Sequence, residues 1–313
     1  MSDTAQKEKP PGWLARAWDS DIFYNFRRSK LVMLASLITL ILVVIAIFAP
    51  WVAPHNPYDL SQVSLLDARN PPAWLDGGGA NNLLGTDDQG RDLLSAIIYG
   101  MRASIFIGCA SVAFAITLGV TLGLMAGYFG GKVDSIIMRI ADVQLTFPAI
   151  LTALLVDGIA RALVGTHKSG GGETTILIFA IGLSYWVQYA RTVRSSTLVE
   201  RNKEYVQAAR IIGLSPRAIM FRHVLPNVGG PVLVLATINL ALAIITEATL
   251  SFLGVGLPPN EPSLGTLISI GNKYLFAGEW WIVTFPAITL AALVLAVNLL
   301  GDWLRDALNP RLR

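Results

Sequence analysis

Six long apolar runs, at 31–49, 104–128, 136–156, 175–190, 231–253 and 282–300, alternate with polar stretches along this chain. Inside them the apolar positions are bunched rather than spaced at a helical period, so each predicts a helix without a polar face. The first holds 19 residues and no charge. At about 1.5 Å per residue it spans most of a hydrocarbon core about 30 Å thick. A water-soluble helical protein could bury one such helix, but hardly six. The pattern predicts an all-α, polytopic membrane protein with about six transmembrane helices. Glycine and proline inside the runs fit that reading, because neighbouring helices re-satisfy the freed backbone groups.

The same pattern divides the chain. Residues 1–30 form a polar entry with an interfacial helix expected near 12–28. The first crossing, 31–49, reads as retained: a polar stretch precedes it, Ala49-Pro50-Trp51 is a poor processing site, and another crossing follows. An external segment covers 50–103, where Pro50, Pro54, Pro57, Pro71, Pro72 and Gly77-Gly78-Gly79 argue against long elements in its first half. A short helix fits near 92–101. A five-helix core then runs over 104–300, with external loops at 158–174 and 254–281, a polar insert at 203–226, and a terminal amphipathic tail at 301–313.

Charge sets the orientation. With the N-terminus cytoplasmic, 18 of the 24 Lys and Arg residues fall on the cytoplasmic side and six outside, which fits cytoplasmic termini and an even number of crossings. Charged residues are only 14% of the chain, against about 25% in a soluble domain. The basic bias is thus explained by a membrane surface, without nucleic acid. The three histidines, His55, His167 and His223, lack metal-ligand spacing, and no metal is expected. Cys109 reads as a packing residue in an apolar run. Ser251 and the scattered histidines do not make a nucleophile–base arrangement.

The insert has its own organisation. Glu204, Gln207 and Arg210 lie towards one side of a short helix, with Tyr205, Ala208, Ala209 and Ile212 on the other. Small Ala208 and Ala209 would admit a close backbone. Gly213 can terminate the helix with a positive φ, and Ser215-Pro216 supplies an N-cap and first-turn proline for a second helix. Ile219, Met220, Val224 and Leu225 give that helix its apolar contacts, and Pro226 is expected to end it. By itself the segment reads either as an interfacial hairpin that stabilises the bundle or as a docking surface for another protein.

Four stretches carry a resemblance. Gln207-Ala208-Ala209, Gly213 and His223-Val224-Leu225-Pro226 hold the spacing of Glu-Ala-Ala, glycine and Ile-x-Leu-Pro in the coupling loop of ATP-binding-cassette importer permeases. The first residue and the isoleucine position depart from that pattern. Leu84-Gly85-Thr86-Asp87-Asp88-Gln89-Gly90-Arg91-Asp92 resembles the entry signature of the second permease of peptide-type importers, although Ala96 stands where a basic residue is often found. Gly127-Tyr128-Phe129-Gly130-Gly131 with Asp134 and Met138-Arg139 resembles the turn between the second and third crossings, and the stretch from Glu247 to Gly256 the close of the fifth.

The chain therefore resembles the dipeptide/oligopeptide-type permeases of ATP-binding-cassette importers. The resemblance implies the type I permease fold in a bacterial inner membrane. It also implies a second homologous permease subunit, two ATPase subunits that bind ATP and Mg, and an extracytoplasmic substrate-binding protein. The chain has no GxxxxGK[ST] loop of its own. The coupling contact to the ATPases would use Glu204, Gln207, Ala208, Ala209, Gly213, Ser215, Pro216, Leu225 and Pro226.

Polar residues in or beside the runs complete the candidates. Glu247 is expected to face the bundle, a cavity or a polar partner, as an interhelical hydrogen-bonding group, a gating group or a substrate contact. Asn298 is expected to bond between helices. Asp87, Asp88, Arg91 and Asp92 either fix the external entry loop or meet the binding protein. Their carboxylates do not fit a calcium loop. Import of nickel complexes or another small solute through the same architecture, and ion-coupled secondary transport, remain the alternatives.

Overall fold

The computed structural model describes residues 26–59, 63–164 and 172–308. The expected interfacial helix near 12–28 and the glycine-rich part of the loop at 158–174 lie largely outside them. Among the described residues there is no strand, only an isolated bridge between Thr86 and Asp92. The long elements are α1 (Lys30–Ile47), α2 (Leu93–Phe129), α3 (Gly131–Leu145), α4 (Ala149–Val164), α5 (Gly172–Glu200), α6 (Glu204–Ile211), α7 (Leu225–Phe252), α8 (Leu264–Tyr274) and α9 (Trp281–Leu308). Among the described residues, five helical runs are long and apolar enough to cross a membrane, or six if α3 and α4 count as one.

Ser29 starts α1 by accepting the Val32 amide on its side chain. Ala35 and Ala46 face the bundle, whereas Leu34, Leu37, Leu40, Ile41 and Val44 are exposed, as expected of a helix lying against lipid. The second run is longer than its apolar stretch. Asp92 caps α2 through the Ser95 amide, so the short helix expected near 92–101 and the crossing expected from 104 are one 37-residue helix. At about 1.5 Å per residue it measures about 55 Å and stands out of any hydrocarbon core. The boundary expected at 103/104 falls inside it.

The third run is not a single rod. Helices α3 and α4 meet at 100° across Thr146-Phe147-Pro148. A residue before proline is pushed out of the α region, which breaks the continuous helix expected at 136–156. The fifth run departs in the opposite sense. Pro226 does not end a helix there: Ile219–Val224 is a π-helical turn, in which the Leu225 amide reaches back to the Met220 carbonyl. Pro226 follows in the first turn of α7, directly after the π turn. Pro216–Phe252 is thus one helical run. The loop at 254–281 holds an unexpected helix, α8, opened by a capping box between Ser263 and Thr266. Likewise α9 continues to Leu308, through most of the expected tail.

Two apolar clusters hold the bundle. One joins Ile107, Leu124, Leu177, Tyr189, Val193 and Leu250 with residues of the insert. The other joins Ala46, Leu93, Met101, Ile244, Leu267 and Leu293. The closest helix pair is α2 against α5, along a stripe of Gly119, Gly123 and Gly127. A Cβ on Gly123 would stand 2.5 Å from the Ala190 carbonyl oxygen, and one on Gly127 2.6 Å from Thr197 Cβ. Small residues at this spacing let two membrane helices approach backbone to backbone. Cys109, expected to pack inside, instead lies exposed on α2.

Candidate functional site

The polar insert is an ordered knuckle. The amides of Gly213 and Leu214 donate to the carbonyls of Arg210 and Ala209, the paired bonds of a Schellman ending, and Gly213 takes the φ of +84° that this requires. Ser215 accepts the Ala218 amide and Pro216 occupies the first turn of the next helix. The two alanines separate. Ala209 is 4% exposed and packs with Val206 into the main cluster, because α6 turns that edge towards the bundle. Ala208, expected to share its face, is exposed with Glu204 and Gln207. The Gln207 side chain donates to the Asn202 carbonyl at 3.1 Å. Leu225 is partly buried and Pro226 exposed.

The tip exposes apolar groups. Ile211 is 86% exposed and Ile212 78%, with Leu214 and Phe221 also exposed. The base is tied to three helices. Tyr205 donates to Glu200 at the end of α5 over 2.6 Å and accepts from Asn227 of α7 over 3.1 Å. Lys203 donates to the other Glu200 oxygen at 2.6 Å. The Arg210 guanidinium lies 5.0 Å from the centre of the Tyr128 ring at the end of α2, and Arg201 donates to the Gly127 carbonyl at 2.9 Å. Burial first, then the Glu200 hydrogen bond and charge, push the Tyr205 phenol up to about 12.

Glu247 lies fully buried in α7. Ser251, one turn on, donates to its Oε1 at 2.8 Å, and the hydroxyls of Ser104 on α2 and Ser263 before α8 are close by. The carboxyl thus sits where three elements meet, inside the protein. Asn298 is half-buried on α9, and among the described residues its side chain has no interhelical hydrogen-bond partner.

Of the four charged residues expected in the entry loop, Asp87, Arg91 and Asp92 are buried and Asp88 is half-buried. Asp87 is fully buried and Arg91 3% exposed. Asp87 accepts from Arg91 Nε at 2.6 Å and from the amides of Gln89 and Arg91 at 2.9 Å each. Arg91 in turn donates to the Pro259 carbonyl at 3.2 Å, joining the entry loop to the segment after α7. Asp92 accepts from the Ser95 amide at 2.9 Å. Burial and the neighbouring Asp87 push the Asp88 carboxyl above its ordinary range, with Arg91 pulling the other way.

Sequence reasoning missed a fifth group. Asp157 on α4 is fully buried and accepts from Arg161 at 2.6 Å. Arg161 also donates to the carbonyls of Val255 and Gly256 at 2.8 and 3.0 Å, latching α4 to the end of the fifth run. The signal was present as an Asp and an Arg four residues apart within an apolar stretch.

Residues 119–313 match a family described as the binding-protein-dependent transport system inner membrane component. Residues 17–72 match the N-terminal TM domain of oligopeptide transport permease C. The di/tripeptide transport system permease protein DppC of Pseudomonas aeruginosa is 39% identical over 293 residues, covering 94% of this chain and 92% of that protein. The dipeptide transport system permease proteins DppC of Haemophilus influenzae and Escherichia coli are 38% and 41% identical. They cover 100% and 94% of this chain, and 100% and 93% of their own lengths. A chain of the MetNI methionine ABC transporter, in an inward-facing conformation, shares the fold with a TM-score of 0.53 at 20% identity, covering 69% of this chain and 98% of that one.

Proposed function

This chain belongs to the family of inner-membrane components of binding-protein-dependent transport systems, and from that premise we propose that it forms half of the translocation pathway of an ATP-driven peptide importer. It is a multi-pass inner-membrane protein with the fold of an importer permease. The dipeptide and di/tripeptide names of its relatives favour a short peptide as cargo over a nickel complex, and an ATP-driven importer over an ion-coupled carrier.

The carrying observation is the knuckle at 203–226. Its base is fixed to α2, α5 and α7, and its tip presents Ile211, Ile212 and Leu214 to a partner. A rigid base with an apolar tip transmits a push, whereas a loose loop would absorb it. In this reading two ATPase subunits bind ATP and Mg, and one of them seats the knuckle in a surface groove. Closure of the ATPases moves the knuckle and the helices attached to it, so that the pathway opens alternately to each side. This subunit performs no hydrolysis of its own. A second permease completes the pathway, and a binding protein delivers cargo at the opposite face. Both termini and the knuckle then lie in the cytoplasm.

The test is reconstitution of the four-subunit complex in vesicles with the binding protein. Uptake of a radiolabelled dipeptide that requires both ATP and the binding protein supports the proposal. Uptake by this chain alone under an ion gradient would overturn it.

A further inference from the structure

Between α3 and α5 lies an open cavity of about 410 Å³ lined by Met138, Asp142, Arg191, Arg194 and Ser195. Its charged groups fall into two pairs of different character. Arg194 is clamped on both oxygens of Asp134, with Nη2 to Oδ2 at 2.6 Å, and both side chains are half-buried. Arg191 gives only Nη2 to Oδ1 of Asp142. Its side chain is 49% exposed and that of Asp142 56%. A guanidinium carries five N–H donors and a carboxylate two oxygens. Arg191 Nε and Nη1 and Asp142 Oδ2 therefore remain open to a ligand while the pair stays made.

Two further facts narrow the ligand. Asp142 stands about 12 Å along α3 from Asp134, so the open pair and the clamped pair are separate stations along one helix. The two aspartates and two arginines also cancel, so a simple cation or anion meets no net attraction. A molecule with an ammonium at one end and a carboxylate at the other finds an opposite charge for each.

We propose that Asp142 and Arg191 form a transient binding station for zwitterionic cargo, with Arg191 taking the terminal carboxylate and Asp142 the terminal ammonium. That the zwitterion is a short peptide rests on the importer reading above. The station is shallow by construction. Exposed ion pairs change affinity by at most about fivefold each, and Asp142 and Arg191 satisfy one another once the ligand leaves. Cargo is thus held without being trapped.

The test uses the assembled complex in lipid nanodiscs without binding protein, so that the binding protein does not select the ligand. Saturation-transfer NMR compares alanyl-alanine with its N-acetyl and C-amide derivatives. In wild type each blocked form is expected to bind about fivefold more weakly. Arg191→Gln should abolish the discrimination against the amide, and Asp142→Asn that against the acetyl form. Ser195→Trp, which fills the cavity and leaves the pair untouched, should remove binding of all three and keeps the test decisive if either charge variant fails to assemble. Equal binding of all three peptides by wild type, or unchanged discrimination in the assembled variants, overturns the station. Import of alanyl-alanine is scored separately with binding protein present. Import without discrimination removes the station alone, and discrimination without import removes the importer reading alone.

Discussion

Tyr205 donates its hydroxyl to Glu200 across the turn between α5 and α6, 2.6 Å from oxygen to oxygen. The same hydroxyl accepts from Asn227, so one phenol ties the knuckle to the helices before and after it. Tyr205→Phe is expected to raise amide exchange across 204–211 by about tenfold, since a hydrogen bond to a charged group contributes about 1.5 kcal/mol or more. Hydrogen exchange of the assembled complex measures this, and unchanged rates would remove Tyr205 from the anchor. The ionisation has a sign as well. The folded phenol titrates near 12 against an ordinary 10.0, so its contribution is full below about pH 10 and is lost as pH rises through 12. A difference absorbance titration of wild type against Tyr205→Phe should show this late-ionising tyrosine.

The split between Ala208 and Ala209 gives opposite expectations for one substitution. Ala208→Trp is expected to leave assembly of the two permeases intact and to weaken ATPase association. Ala209→Trp overpacks the bundle and is expected to lower yield of folded protein, at about 1–3 kcal/mol. Gly213→Ala strains a left-handed residue by about 1–2 kcal/mol and should loosen ATPase binding without abolishing insertion. Co-purification of the ATPases set against permease yield separates the three. Equal behaviour of the two tryptophan variants would sink the docking assignment.

Glu247 is enclosed by hydroxyls, and its Oε1 accepts from Ser251. Glutamine keeps that acceptor and the size. Glu247→Gln is expected to assemble and transport close to wild type, whereas Glu247→Leu strands the facing hydroxyls at about 1–3 kcal/mol and lowers complex yield. A fully assembled glutamine variant with defective initial uptake would instead assign the carboxylate a gating charge.

The glycine stripe of α2 admits no side chain at Gly123, where a Cβ would meet the Ala190 oxygen at 2.5 Å. Gly123→Leu is expected to separate α2 from α5 and to abolish recovery of folded protein, with Gly123→Ala intermediate. Thermal stability in detergent reads the order, and a wild-type midpoint for the leucine variant would contradict the packing.

Orientation is tested by cysteine labelling after Cys109→Ala. Asp87 is too buried to serve, but Leu66 at 96% and Phe276 at 98% exposure report one face, and Ile211 the other. Leu66→Cys and Phe276→Cys are expected to react with an impermeant reagent from outside the cell, and Ile211→Cys only after permeabilisation. Labelling of Ile211→Cys from outside would invert the topology.

Apolar bunching made the crossings legible, because a membrane helix announces itself without tertiary help. The knuckle was legible too, since Gly213, Ser215 and Pro216 act locally. What escaped were consequences of neighbours. Ala209 points inward only because α6 lies against Ile219 and Val224. The bend at Pro148 could not be told from a tolerated membrane proline, and Pro226 looked like a stop because the π turn before it leaves no local mark. Asp87 and Arg91 looked like surface charges, yet Pro259, far along the chain, closes over them. Asp157 and Arg161 look like a local pair four residues apart, yet Arg161 also reaches the carbonyls of Val255 and Gly256 on the loop after α7.

The uninterrupted run from Pro216 to Phe252 has a mechanical meaning. About 32 Å of helix, with Pro231 inside it, separates the end of the knuckle at Pro226 from Glu247, and no loop interrupts it. The π turn sits next to the input end, where a change of register from wide to ordinary pitch would rotate everything beyond it about the helix axis. Such a shaft delivers torque as well as thrust, so Glu247, Ser251 and the Arg161 latch would turn relative to α2 when the far end is twisted.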